Sequence, residues 1–218
     1  MLKVALLFDK NNNWIEKFFP KKIEDLNFKK FHFKKFYSYK KIKKFDIVFI
    51  LNFTHIIKKE YLKKNKLNLV IHASNLPIGK GFAPMQWQIL KGINIITFSL
   101  IEAVEKVDSG NIYLTKKLRL NGNELYDELR TKQSKAIKEI MMSFLRKYPN
   151  ISSQKQKGKS TYFRKRTELD SELDINKPIK KLFPLMRIAN NNLWPLFFKF
   201  NGKKFYLKIY DKKFDEKD

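Results

Sequence analysis

The chain has 218 residues, 43% of them hydrophobic, enough for one ordinary domain with a filled core plus an appendage. It contains no cysteine, which excludes disulfides, thiol nucleophiles and thiolate metal sites, and its three histidines, His32, His55 and His72, are too scattered for a metal-ligand pattern. The net charge is +26, but arginine occurs only at 119, 130, 146, 164, 166 and 187, so the lysine excess reads as a bias spread over the chain rather than a surface for specific nucleic-acid contacts.

In chain order, Leu2 to Phe8 reads as a buried strand, followed by an asparagine-rich turn and a short helix around Trp14 to Phe19. A Lys- and Phe-rich region, Phe28 to Lys44, contains an alternating stretch at Phe31-His32-Phe33 that suits a strand. Residues 45 to 51 and 68 to 74 are apolar strands, and the charged stretch Ile57 to Lys66 between them is helix-like. Pro84 opens a helix to Lys91, and Gly92 closes it where a left-handed residue is wanted. Strands follow at 93 to 103 and 111 to 118, then a long amphipathic helix from Glu124 to Arg146. Tyr148 to Gly158 is polar and reads as a linker. Beyond it come a helix near Ile179 to Ala189 and a hairpin, Leu196 to Phe200 and Phe205 to Tyr210, turning at Asn201-Gly202. Strands alternating with helices predict an α/β fold with a mostly parallel sheet. No apolar run suits a signal peptide or a membrane span, so a cytoplasmic protein is expected.

The chemistry is concentrated in residues 71 to 92 and 105 to 110. In open α/β sheets ligands bind beyond the carboxyl ends of strands, and His72 falls at such an end. Gly79 and Gly81 allow backbone amides to come close to a ligand. Asp108 follows the next strand in a turn. A carboxylate beside an imidazole orients it and raises its basicity, which makes a proton-transfer pair. The residues by themselves leave a second reading open, a hydrogen-bonded core histidine and an ordinary turn aspartate.

His72-Ala73-Ser74-Asn75-Leu76-Pro77, then Gly79-Lys80-Gly81, Pro84 at a helix start, and Val107-Asp108-Ser109-Gly110 lying 35 to 38 residues after His72 together resemble the 10-formyltetrahydrofolate-dependent formyltransferases. That family includes methionyl-tRNA formyltransferase, glycinamide ribonucleotide transformylase and the sugar-nucleotide formyltransferases. Tyr162-Phe163-Arg164-Lys165-Arg166-Thr167, with Asp170-Ser171 and Asp174-Ile175, resembles the segment that opens the second subdomain of the tRNA and sugar enzymes. Ser-Asn-Leu-Pro with Gly-Lys-Gly is similar to a branch associated with pseudaminic-acid-type sugar gene clusters.

The resemblance implies a Rossmann-like formyltransferase domain over 1–150 and a small helix-and-hairpin subdomain over 151–218. It implies N10-formyltetrahydrofolate as cosubstrate, with no metal, and an Asn, His and Asp triad. His72 then stabilises the oxyanion or takes the amine proton, and Asp108 tunes it. The family's Asn stands two residues before the His, where this chain has Val70. Asn75 is the candidate replacement, although it could equally stabilise its own turn. Asn68 lies four strand residues away, about 13 Å. The implied folate contacts are Leu51, Asn52, Phe53, Ser74, Leu76, Pro77, Lys80, Val107 and Gly110, largely through backbone groups. Trp87 reads as core. The tail reads as too short for the tRNA enzyme's β-barrel domain and is closest to the sugar enzymes, where it contacts the nucleotide or shapes a homodimer. The expected function is therefore formyl transfer to an amino sugar of surface-glycan biosynthesis, with a small-molecule partner and no specific nucleic acid. The alternatives are a formyltetrahydrofolate hydrolase, a formyltransferase for another amine, and a non-catalytic basic protein that binds RNA or a membrane surface.

Overall fold

The computed structural model describes residues 1–21 and 30–211. The elements in chain order are β1 (Leu2–Phe8), β2 (Phe31–Phe36), β3 (Ile47–Leu51), α1 (Lys59–Leu62), β4 (Leu67–His72), β5 (Lys80–Gly81) and α2 (Pro84–Leu90). They continue as β6 (Ile95–Glu102), β7 (Ile112–Arg119), α3 (Tyr126–Lys147), β8 (Tyr162–Phe163), α4 (Ile179–Arg187), β9 (Leu196–Phe200) and β10 (Lys203–Leu207). Phe28 and Lys29, the first residues of the Lys- and Phe-rich region, lie outside the described residues.

Six strands form one sheet in the order β2-β1-β3-β4-β6-β7. β1 runs parallel to β2 and β3, and β3 runs parallel to β4. β6 is antiparallel to both β4 and β7, so the sheet is largely, not wholly, parallel. Alternation along each strand builds two cores. Val4, Leu6 and Phe8 of β1 join Ile47, Phe49 and Leu51 of β3 on one face. Ala5 and Leu7 join Val48, Ile50 and Ile42 on the other. Fully burying a side chain of this size contributes about 1.5–3 kcal/mol.

Helix α3 covers the first face because its apolar residues recur at helical spacing: Leu129, Ala136, Ile137, Ile140, Met141, Phe144 and Leu145 are buried. Phe144 meets Phe49 edge to face at 6.0 Å. The Glu128 carboxylate accepts the Leu125 N–H at the helix start, which satisfies one of the donors that a helix N-terminus leaves unpaired.

Four expectations change. The helix around Trp14 to Phe19 shrinks to a 3-10 turn, Glu16–Phe18, because Pro20 forces Phe19 into extended backbone. The helix over 57 to 66 is reduced to α1, because the chain must return beside β3: Lys66 N–H donates to Phe45 O and Lys44 N–H to Lys64 O. The linker over 148 to 158 is not a free tether, since Gln154 and Ile112 exchange both backbone hydrogen bonds at 2.8 Å. The hairpin forms with the expected first strand and turn, but its second strand is Lys203–Leu207 and not Phe205 to Tyr210. Asn201 and Gly202 take φ of 46° and 77°, the two positive values that a tight hairpin turn of this hand requires.

Candidate active site

His72 ends β4, opposite Ser99 of β6, and is buried. It shares a sheet face with Val70 by alternation. Beyond it the chain turns, with Ile78 N–H donating to Asn75 O at 3.0 Å and a cis Leu76–Pro77 peptide. It then enters β5, which pairs with β8. This two-residue strand and the glycine before it hold both halves of the candidate pair. His72 Nε2 lies 2.8 Å from Gly79 O. A carbonyl can only accept, so Nε2 carries the proton. Gly81 N–H donates to Asp108 Oδ2 at 2.8 Å, and the same oxygen lies 3.5 Å from His72 Nδ1.

Asp108 does not arrive by strand direction. Because β6 is antiparallel to β4, Glu102 at the end of β6 sits opposite Leu69, while His72 sits opposite Ser99. The connection 103–111 must therefore double back along the sheet to present Asp108 to His72. Gly110 permits this, since a Cβ there would lie 1.9 Å from Glu102 O. Asp108 itself has φ of 50°, a left-handed conformation uncommon outside glycine.

The other sequence candidates fall into distinct settings. Asn75 is exposed on its turn, and its side chain makes no hydrogen bond to His72 or Asp108. Val70, at the family's Asn position, packs against the second apolar core. Leu51 is core, so only its backbone is available at the strand end. Asn52 has φ of 53° and donates through Nδ2 to Asn12 O at 2.7 Å. Phe53 packs edge to face on Tyr39. Leu76 and Pro77 are buried in the turn, while Val107 is exposed. Ser74 is buried, and its hydroxyl has no partner among the described residues. Lys80 is only 5% exposed and donates to Ser109 Oγ at 3.0 Å. Asn68 is used structurally, its Nδ2 donating to Leu62 O at 2.9 Å.

Trp87 is a correction. It lies outside the core and stacks on Phe163 and beneath the Arg164 guanidinium, with its indole N–H donating to Arg164 O.

Sequence reasoning missed Asp9 and Gln156. Asp9 follows β1 and accepts N–H bonds from Asn11 and Thr54 and the Thr54 hydroxyl, pinning the strand-end loop 52–54. Burial alone would raise its carboxyl, but the Thr54 and Asn11 bonds and nearby His55 outweigh it and hold it below the ordinary range. An acidic residue directly after a buried strand was the available signal. Gln156 had none, lying in a polar stretch without a motif. No helix among the described residues is long and apolar enough to cross a membrane.

The fold and site define a Rossmann-like α/β protein of the formyltransferase type. The chain matches a methionyl-tRNA formyltransferase structure from Clostridium thermocellum with TM-score 0.79 and 23% identity, over 94% of this chain and 97% of that one. A sugar N-formyltransferase structure from Shewanella sp FDAARGOS_354 matches with TM-score 0.72 and 13% identity, over 99% and 100%. The family model described as Formyl transferase matches residues 14–145, and the chain belongs to that family. Methionyl-tRNA formyltransferases from Prochlorococcus marinus subsp. pastoris and Thermodesulfovibrio yellowstonii are 29% and 28% identical over 147 and 186 residues. These matches cover 67% and 83% of this chain but 44% and 56% of the relatives, so the chain spans about half their length.

Proposed function

We propose that the chain is an N-formyltransferase that moves the formyl group of N10-formyltetrahydrofolate to the amine of an amino sugar. The observation that carries the transfer chemistry is the pairing of the buried His72 with the part-buried Asp108, both side chains being held by the backbone of Gly79 and Gly81. When bound, the folate supplies the formyl carbon as electrophile. The chain's residues suit such a ring system. Loop 52–54 is hydrogen-bonded to Asp9 through Thr54, the exposed Val107 offers an apolar contact, and the buried Ser74 hydroxyl is without a partner among the described residues.

As the amine bonds to the formyl carbon the bond from that carbon to N10 breaks, so the proton that the amine loses matches the one that N10 must gain. The imidazole has a place for it, because Nδ1 faces the Asp108 carboxylate while Nε2 already donates to Gly79 O. The Gly81 amide keeps that carboxylate aimed. Proton transfer of this kind contributes about 10²- to 10⁴-fold in rate. Asn75 is the proposed third polar group, an exposed residue on the turn that follows His72.

The amino sugar is supported by the fold shared with a sugar N-formyltransferase structure. A second reading is the amine of a tRNA-borne methionine, favoured by the names of the curated relatives. The deciding experiment offers nucleotide-linked amino sugars and methionyl-tRNA with the formyl donor and follows mass gain of the acceptor and tetrahydrofolate release. His72→Ala should lose both signals by at least about 10²-fold. Retained turnover in that variant would remove the pair from the chemistry. Turnover without any added amine would point to a hydrolase. In the same assay Asn75→Ala should lower kcat if the amide takes part, and leave it unchanged if Asn75 only closes its turn.

A further inference from the structure

We infer that Gln156 is a positioning residue for the candidate site, acting through Asp108, an inference that rests on the proposed role of the His72–Asp108 pair. Gln156 lies beyond residues 14–145, the part of the chain that the family model matches. Its backbone neighbourhood is anchored, since Gln154 is paired with Ile112 at the start of β7. From there the Gln156 side chain reaches into the doubled-back connection and donates from Nε2 to Asp108 O and to Gly110 O, each at 2.8 Å. Both neighbours are carbonyls, which fixes the nitrogen as the atom facing them. Oε1 is buried with no partner among the described residues, so the two N–H bonds set the orientation of this amide.

Those two carbonyls bracket Ser109, in a loop that has reason to relax. Asp108 is left-handed, a conformation costing of order 1 kcal/mol or more for a residue with a Cβ. The loop must nevertheless keep Asp108 Oδ2 on the Gly81 amide and toward His72 Nδ1. A rotation of the peptides around 108–110 would swing the carboxylate off that line. The Gln156 amide opposes the rotation by holding a carbonyl on either side. The same segment continues to Thr161, whose Oγ1 accepts the Gly79 N–H, and to β8, which pairs with β5. Residues 154–163 thus strap both loops of the pair, and Gln156 is the member that touches the Asp108 loop directly.

The test uses the full chain with Gln156→Met, which keeps bulk without a donor, and Gln156→Glu, which turns a carboxylate toward the two carbonyls. Two readouts are combined. The first is the imidazole nitrogen resonances of His72 by NMR, compared with those of Asp108→Ala. Both Gln156 variants should move them in the direction that Asp108→Ala does, while circular dichroism and the melting profile remain those of a folded protein. The second is formyl transfer. Each variant should lower kcat about 10- to 100-fold, the scale of a misplaced reacting group, with KM changed less than about threefold. In the Asp108→Ala background the Gln156 changes should add nothing further. Unmoved His72 resonances in a folded variant, or a full additive loss on top of Asp108→Ala, overturn the inference. If the unaltered protein formylates no amine while the resonances still move, the transfer reading fails and the positioning role stands. If Gln156→Met does not fold, the resonances of Gln156→Glu decide.

Discussion

Gly81 is the residue on which the geometry of the pair turns. Its amide holds Asp108, its φ is 93°, and a Cβ there would lie 2.4 Å from Phe163 O. Gly81→Ala must therefore either strain β5 or push β8 away, and both outcomes withdraw the amide from the carboxylate. The variant should lose on the order of 1–3 kcal/mol of stability, read by denaturant unfolding, and more activity than that loss explains. A variant with normal stability and normal kcat would show that β5 does not set the pair. Val70 makes the complementary point. It packs as a partly buried hydrocarbon against the second apolar core, so it offers no amide where the family pattern places one.

At the scale of elements, one buried ion pair joins α4 to the start of α3. Glu124, just before α3, accepts N–H bonds from Asn121 and Gly122 and contacts Lys132. Arg187, at the end of α4 and 3% exposed, donates to the same carboxylate at 2.8 Å and to Asn94 Oδ1 at 2.9 Å. Breaking such a pair leaves a buried charge uncompensated. Glu124→Ala should then cost about 3–5 kcal/mol in denaturant unfolding. The double change Glu124→Leu with Arg187→Met, which removes both charges, should restore much of that loss. A cost below about 1 kcal/mol for Glu124→Ala would mean that Arg187 finds water or another partner.

For the whole molecule the charge distribution sets the response to acid. Burial alone would raise the Glu124 carboxyl, but Lys132 and the neighbouring amides outweigh it and hold it at about 2. The Arg164 guanidinium, with help from the Thr167 amide, holds Asp170 at about 2 as well. Both folded values lie below the unfolded carboxylate range of about 4. Their stabilisation is therefore complete above that range and is lost as pH falls through the folded values. Protonating carboxylates on a chain that already carries +26 also adds self-repulsion. Stability should fall steeply between about pH 4.5 and pH 2, and added salt should soften the fall. Equilibrium unfolding across that range checks it, and a flat profile would show that the unfolded chain keeps the same pairings.

Short windows of the chain were enough to read its elements. Alternation and apolar runs located β1, β3, β4, β6 and β7 to within a few residues. Pro84, Gly92 and Asn201-Gly202 marked a helix start, a helix end and a turn, because proline and glycine chemistry is local. The motif around His72 and Asp108 named the candidate pair. The direction of β6 was not legible, since an apolar strand reads the same whichever way it runs in a sheet, and it emerged only from the folded pairing. With it came the path by which Asp108 reaches His72, a doubling back that no window spells. The contacts of Gln156 were hidden for a related reason: a side chain 48 residues away in sequence from the backbone it holds leaves no periodic mark. What the chain spells locally is its elements and its candidate site residues; the register that brings them together comes from the sheet, because pairing between distant strands is fixed by their shared burial and not by either strand alone.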